Sequence, residues 1–191
     1  GGATALDVAT GDHTSVTGET LNVRVVAHTL NVLNNYATQR FVVVEAPTIS
    51  SGASSTITDA ATLAITGAPV DAASAAITNP YALWVQSGRA GFGGGVRLTS
   101  STLTIATGQV TVTKAHHLID TEGAAFSDEL TGIAGGLAGD ILILRAANDA
   151  RTVVVRNGVD NLKLAGVGSL GDFTMDNDNK VLVLIYDGVT W

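Results

Sequence analysis

Cysteine is absent from these 191 residues. That excludes disulfides, thiolate nucleophiles and zinc–thiolate sites, and it leaves the chain indifferent to redox compartment. Charge is scarce: Asp, Glu, Lys and Arg make up 14% of the chain, against about a quarter in ordinary soluble proteins. The ten Lys and Arg form no stripe, so no nucleic-acid partner is expected, because phosphate contacts need clustered cations. Aromatic residues are only 5%, too few for the aromatic-lined groove that polysaccharide-cleaving enzymes use. No apolar run reaches the ~18 residues of a membrane span, so no membrane insertion is expected. No cationic leader precedes the opening Gly1-Gly2-Ala3, so no signal peptide is visible. The chain reads as the ordered part of a longer product.

What is present is mostly small and apolar. Hydrophobic residues are 46% of the chain, and with so few aromatics they are chiefly Ala, Val, Leu and Ile. A monomer with this composition would expose apolar patches, which mark interaction sites. The β-branched content and low net charge per residue argue against disorder. The net charge of −7 is split unevenly, with four basic and six acidic groups in residues 1–100 and six and eleven in residues 101–191.

Periodicity points to short strands. Leu21 to Ala27 alternates apolar and polar as a half-buried strand does, and Phe41 to Glu45 is a continuous apolar run that Pro47 ends. Ile-Thr then recurs at Ile57-Thr58, Ile65-Thr66 and Ile77-Thr78, followed each time by a turn-former, Asp59, Gly67 or Asn79. Ala82 to Val85 reads as a strand. The glycine-rich stretch 88–95 reads as a joint, with Gly91 to Gly95 extended and making few intrachain contacts. A boundary falls near residue 100. Beyond it, Leu103 to Ile105 and Val110 to Thr113 flank Thr107-Gly108 as a hairpin would. Ser127 to Ile133 is the best helical candidate, with Ser127 as cap and Asp128 and Glu129 in the first turn. Strands follow at Ile141–Leu144, Val153–Val155, Leu162–Leu164 and Val181–Ile185, and the chain end at Trp191 also reads as a strand. Asn/Asp turns separate them. Strands at this spacing predict an all-β fold of short-stranded β-sandwich or β-prism modules. They fall in two regions: residues 1–100, β-rich, for attachment or fibre-building, and residues 101–191, a C-terminal β domain.

The phrases ITDAATLAITGAP (57–69) and ITNPYALWVQSGRAGFGG (77–94) resemble segments that recur in phage tail-fibre and minor virion structural proteins. HLIDTEGAA (117–125), DILILRA (140–146), RTVVV (151–155), NLKLAG (161–166) and YDGVTW (186–191) resemble a phage fibre module in the same order. Together they cover most of residues 40–191; residues 1–35 carry little of the likeness. Relatives often continue past the terminal Trp. The resemblance implies a structural virion protein, a segment of a trimeric tail fibre or spike with chains intertwined in a homotrimer. Its partners would be itself and other virion proteins of tail, baseplate or capsid, with a host-surface glycan or protein as a further contact. The location implied is the virion, an extracellular particle assembled in the host cytoplasm. Two alternatives stand beside it: a capsid head fibre or decoration protein, and a glycan-binding or glycan-cleaving β domain. Small residues that let backbones approach a common axis, and apolar faces with few charges, suit such an assembly independently of the likeness.

No residue set carries an expected catalytic, cofactor or metal role, and no cofactor is implied. His116-His117 would point to opposite faces of a strand, giving one exposed ring and one packed ring, unless one ring per chain met a metal on a trimer axis. Asp172 to Asn179 looks like a calcium loop, but counting from Asp176 it puts Lys180 and Val181 where the loop needs an oxygen ligand and Gly; an Asn/Asp turn is the better reading. The glycines of 88–95 lack the following helix that a phosphate-binding loop requires. Asp120 and Glu122 are the nearest approach to the two acids of a glycosidase, and read as a solvated loop. Asp7, Glu19 and Asp59 read as surface charges. Trp84 and Trp191 are large anchors, either in an interface or in the subunit core.

Overall fold

Among the described residues of the C-terminal half there are nine strands, most of which pair in parallel with no α-helix between them. The computed structural model describes residues 38, 40, 42–49, 54, 56–71, 76–164 and 171–191. The strands are β1 (Ser101–Thr104), β2 (Gln109–Thr111), β3 (His116–Asp120), β4 (Ser127–Leu130), β5 (Gly132–Ala134), β6 (Ile141–Ala146), β7 (Thr152–Val155), β8 (Phe173–Met175) and β9 (Val181–Ile185). A 3-10 turn at Glu122–Ala124 is the one helical element among the described residues. The chain is all-β there.

The topology explains how parallel strands arise without helical crossovers. One sheet has the order β1-β3-β6-β9, a second pairs β2 with β5, and a third has the order β4-β7-β8. The chain visits the sheets in turn, so each strand lies beside one from the preceding or following circuit. Ser101 faces His117, His116 faces Ile143, Gln109 faces Gly132 and Ser127 faces Thr152, all in parallel register. A parallel pair needs a long crossover; here the crossover is the rest of a coil. Two antiparallel strands, β8 beside β7 and β9 beside β6, close the stack.

Inside the coil, like residues stack from one circuit to the next. Ile119 faces Ala146, Leu142 faces Leu184, Val110 faces Ile133 and Leu130 faces Val155; all are buried. Fully burying one such aliphatic side chain is worth roughly 1.5–3 kcal/mol, so this ladder carries the domain. Alternation along β6, with Leu142, Leu144 and Ala146 inward, sets its register against both neighbours.

Several sequence expectations change. Thr107 and Gly108 both have positive φ, +51° and +80°, and Ala106 and Gln109 exchange backbone hydrogen bonds of 3.0 and 3.1 Å. This is a tight two-residue turn, but its flanks part into different sheets, so there is no hairpin. Ser127 to Ile133 is not helical: it forms β4 and β5. Seven residues with Gly132 among them are too few to nucleate a helix alone, while Val155 and Val110 offer strand partners to Leu130 and Ile133. The end, 186–191, is a turn and not a strand: Asp187 Oδ1 accepts the amides of Val189 and Thr190 at 2.8 and 2.6 Å, and Asp187 Oδ2 accepts the Thr190 hydroxyl at 2.9 Å. This turn folds Trp191 back against Tyr186, ring centroids 4.8 Å apart. The 162–164 segment is also outside any strand, although Lys163 N–H donates to the Trp191 carbonyl at 2.8 Å.

The chain divides into two compact units, Gly1–Trp84 and Val85–Trp191. Among the described residues of 38–100 there is no strand, and nearly every side chain is exposed. Of the strands expected at 41–45, at the Ile-Thr pairs and at 82–85, none is formed by the described residues; a strand needs ladder partners for its backbone groups, and no other described segment pairs with these. The strand expected at 21–27, Phe41, and the charges Asp7 and Glu19 lie outside the described residues.

Candidate interaction surfaces and side-chain clusters

The outer face of the four-stranded sheet is its most distinctive surface. On β9, Leu182 and Leu184 turn inward, so Val181, Val183 and Ile185 turn out, exposed by 47, 58 and 64%. Their register partners on β6 are Arg145, Ile143 and Ile141. Ile141 is also exposed, and His116 and Leu118 of β3 continue the row beside Ile143 and Arg145. The centre is apolar and free of charge. At one end stands Arg145, whose guanidinium donates to the Asp178 carbonyl, and the Asp120–Arg151 ion pair at 2.6 Å. Sequence reading found the strand but not this face. The signal was there in VLVLI, which is apolar at every position and so has two faces to cover.

Around the corner, Ile141 and Ile143 also line a cleft of about 840 Å³ with Leu98, Leu137, Lys114 and Trp191. Trp191 is itself buried, and a Cβ placed on Gly136 would come within 2.5 Å of its ring. Trp191 is thus a core anchor of its own unit. Trp84 differs: it is 66% exposed and stacks on Tyr81 at 5.9 Å.

The exposed apolar side chains of 42–98 are the second surface. In the first unit, Val42, Val43, Val44, Ile57, Leu63 and Val70 stand in solvent. In the second, so do Val85, Phe92, Val96 and Leu98. A Cβ built on Gly91, Gly93, Gly94 or Gly95 would meet nothing within 4 Å, as expected of a joint with few intrachain contacts.

The histidine pair splits as strand alternation requires. His117 is fully buried between the sheets, and His116 is half-buried on the outer face. His117 Nε2 accepts the backbone N–H of Thr113 and of Lys114, each at 3.1 Å, while Nδ1 lies 3.0 Å from the Ser101 hydroxyl and 3.2 Å from its carbonyl. Two donors aimed at Nε2 fix the neutral ring with its proton on Nδ1. Burial lowers the pKa of His117 from its ordinary value. Both nitrogens are occupied, so this ring is not available to a metal. His116 Nε2 is buried without a protein partner, as is Trp191 Nε1.

The acids are engaged structurally. Asp120 accepts two hydrogen bonds from Arg151 Nη1, which hold its pKa below the usual carboxylate range, and one from the Thr121 amide. A carboxyl group held ionised is a poor proton donor. Glu122 Oε2 accepts the Thr107 amide at 3.0 Å. The 176–180 segment is an Asn/Asp turn: Asn177 Oδ1 accepts the Asn179 amide at 3.0 Å, and Asp176 pairs with Lys180 at 3.0 Å. Among the described residues, no group of three or more His, Asp or Glu side chains converges as a metal site, and no helix is long and apolar enough to cross a membrane.

Comparison with protein-family models, with curated proteins and with solved structures finds no match.

Proposed function

We propose that this chain is a structural virion protein, a segment of a trimeric phage tail fibre or spike that works by shape and assembly and not by catalysis. The observation that carries this reading is the long series of aliphatic and aromatic side chains from Val42 to Leu98 that stand largely exposed among the described residues. Apolar surface on that scale marks an interaction site. In a closed assembly, small residues such as Ala60, Ala61, Ala64 and Ala68 let neighbouring backbones approach, and backbone groups of this stretch can pair with those of other chains. The Cys-free, charge-poor composition suits an appendage whose stability comes from interchain burial. The coiled β unit supplies a rigid module of that assembly. Three copies held together would also present any host-surface contact multivalently, raising avidity without strong single contacts.

Light scattering behind a sizing column tests the reading on the full chain. A mass of three chains that persists on dilution is the expected result, since closed symmetric assemblies of this kind often have no stable monomer. A compact monomer at micromolar concentration overturns it.

A further inference from the structure

We infer that the outer face of the β1-β3-β6-β9 sheet is a contact between copies of this chain, the face that each coiled β unit turns toward the threefold axis. The inference rests on the trimer reading above, and it names which surface of the second unit closes the assembly.

Geometry and chemistry favour a second copy as the occupant. Ile141 with Ile185, and Ile143 with Val183, form successive register pairs on the outer face, with Val181 next in line. Outward residues repeat every second position, about 6.6–6.8 Å along a strand, so the face presents evenly spaced apolar layers. Three identical layered faces meeting at an axis interdigitate without any change of partner type. The chain carries a net charge of −7, so copies repel unless they meet where charge is missing, and this patch is uncharged at its centre. The charged groups stand at its margin: Arg145 on Asp178, and Asp120 on Arg151. An apolar centre with a polar rim is the anatomy of a protein interface.

Size points the same way. Ile141, Val181, Val183 and Ile185 are each about half exposed and together offer roughly 400 Å² of apolar surface, the size of the largest patch on a typical monomer, which is often functional. That is about half of the ~800 Å² each partner contributes to a stable interface. Leu98, Leu137 and the cleft they share with Ile141 and Ile143 extend the same surface. Strand β9 is also an edge strand with neither Lys nor Pro within it. Natural sheets guard such edges with charge, proline or a covering element, and a neighbouring copy supplies the cover.

The test uses the full chain and two variants. Val183→Glu places a charge at the centre of the patch, on a side chain that does not contribute to the coil interior. The expected result is a trimeric parent and a variant that dissociates at a higher protein concentration than the parent, while the far-ultraviolet circular dichroism of the undissociated variant is unchanged. A variant that stays trimeric on dilution to the same extent as the parent overturns this inference and leaves the trimer reading standing; a monomeric parent overturns both. Should Val183→Glu fail to fold, Val183→Cys decides. The chain has no cysteine of its own, so mild copper-catalysed oxidation by dioxygen can join two thiols from different copies, each losing its proton and one electron to the oxidant. Efficient dimer cross-linking at this position, with none for the exposed turn variant Ala150→Cys, supports the contact. Equal and low cross-linking at both positions overturns it.

Discussion

The buried imidazole of His117 gives the sharpest test of the coil. The ring is fully buried and anchors the turn at Thr113-Lys114 to the strand that begins at Ser101, through Nε2 on one side and Nδ1 on the other. His117→Leu keeps the volume but leaves two N–H groups without an acceptor. Each such loss costs roughly 1–3 kcal/mol when the donor is fully buried. Thr113 and Lys114 are exposed residues, so water recovers part of it, and about 3 kcal/mol in total is expected at pH 8. For a domain of this size that corresponds to a fall in Tm of roughly 12–24 °C. His117→Gln, whose amide oxygen can still accept, recovers part of the loss. The pH dependence follows from the same geometry. Burial lowers the folded pKa below the unfolded value near 6.5, so the unfolded chain takes up the proton first. The stabilisation is complete above pH ~6.5 and is lost as pH falls from there toward the folded pKa, with a slope of at most about 1.4 kcal/mol per pH unit. Asp120, whose folded pKa is lowered by Arg151, contributes stability that is lost only as pH falls through the acid range below about 4, so the two windows separate. Urea unfolding at fixed protein concentration, at pH 8, 7, 6 and 5, measures the His117 contribution and its pH dependence clear of the Asp120 window. Two results would refute the reasoning: His117→Leu within 1 kcal/mol of the parent at pH 8, or identical pH slopes for parent and His117→Leu between pH 7 and 5.

Two further substitutions probe how the stack is closed. Asn161 imitates a strand with its side chain, accepting the Ile133 amide at 3.0 Å and donating to the Ile133 carbonyl at 2.6 Å; Asn161→Leu should cost about 2 kcal/mol and accelerate hydrogen exchange at the Ile133 amide. Gly136 has φ +94° and no room for a Cβ beneath Trp191; Gly136→Ala should cost roughly 1–3 kcal/mol and, in a Trp84→Phe background, shift the remaining tryptophan emission to longer wavelength.

Local physics made much of this chain legible from its residues alone. Alternation separates His116 from His117 because side chains on a strand point to opposite faces. Asn and Asp at 176–179 turn the chain because their side chains bond nearby amides, and Lys180 and Val181 break the calcium pattern. The all-β character follows from many short apolar runs cut by turn-formers. Other features depended on distant partners. Thr107-Gly108 reads as a hairpin turn, and the turn itself forms; that its flanks join β3 and β5 instead of each other depends on inward-facing Ile105, Val110 and Val112 sharing one core with residues a full coil away. Ser127 to Ile133 carries helix-start residues, yet Val155 and Val110 draw it into two strands. The Ile-Thr segments carry a strand pattern with no ladder partner among the described residues. Composition and spacing fix what each segment can do; which faces meet, and therefore whether strands run parallel in coils and which apolar face is left open, is decided only when residues far apart in sequence bury surface against one another.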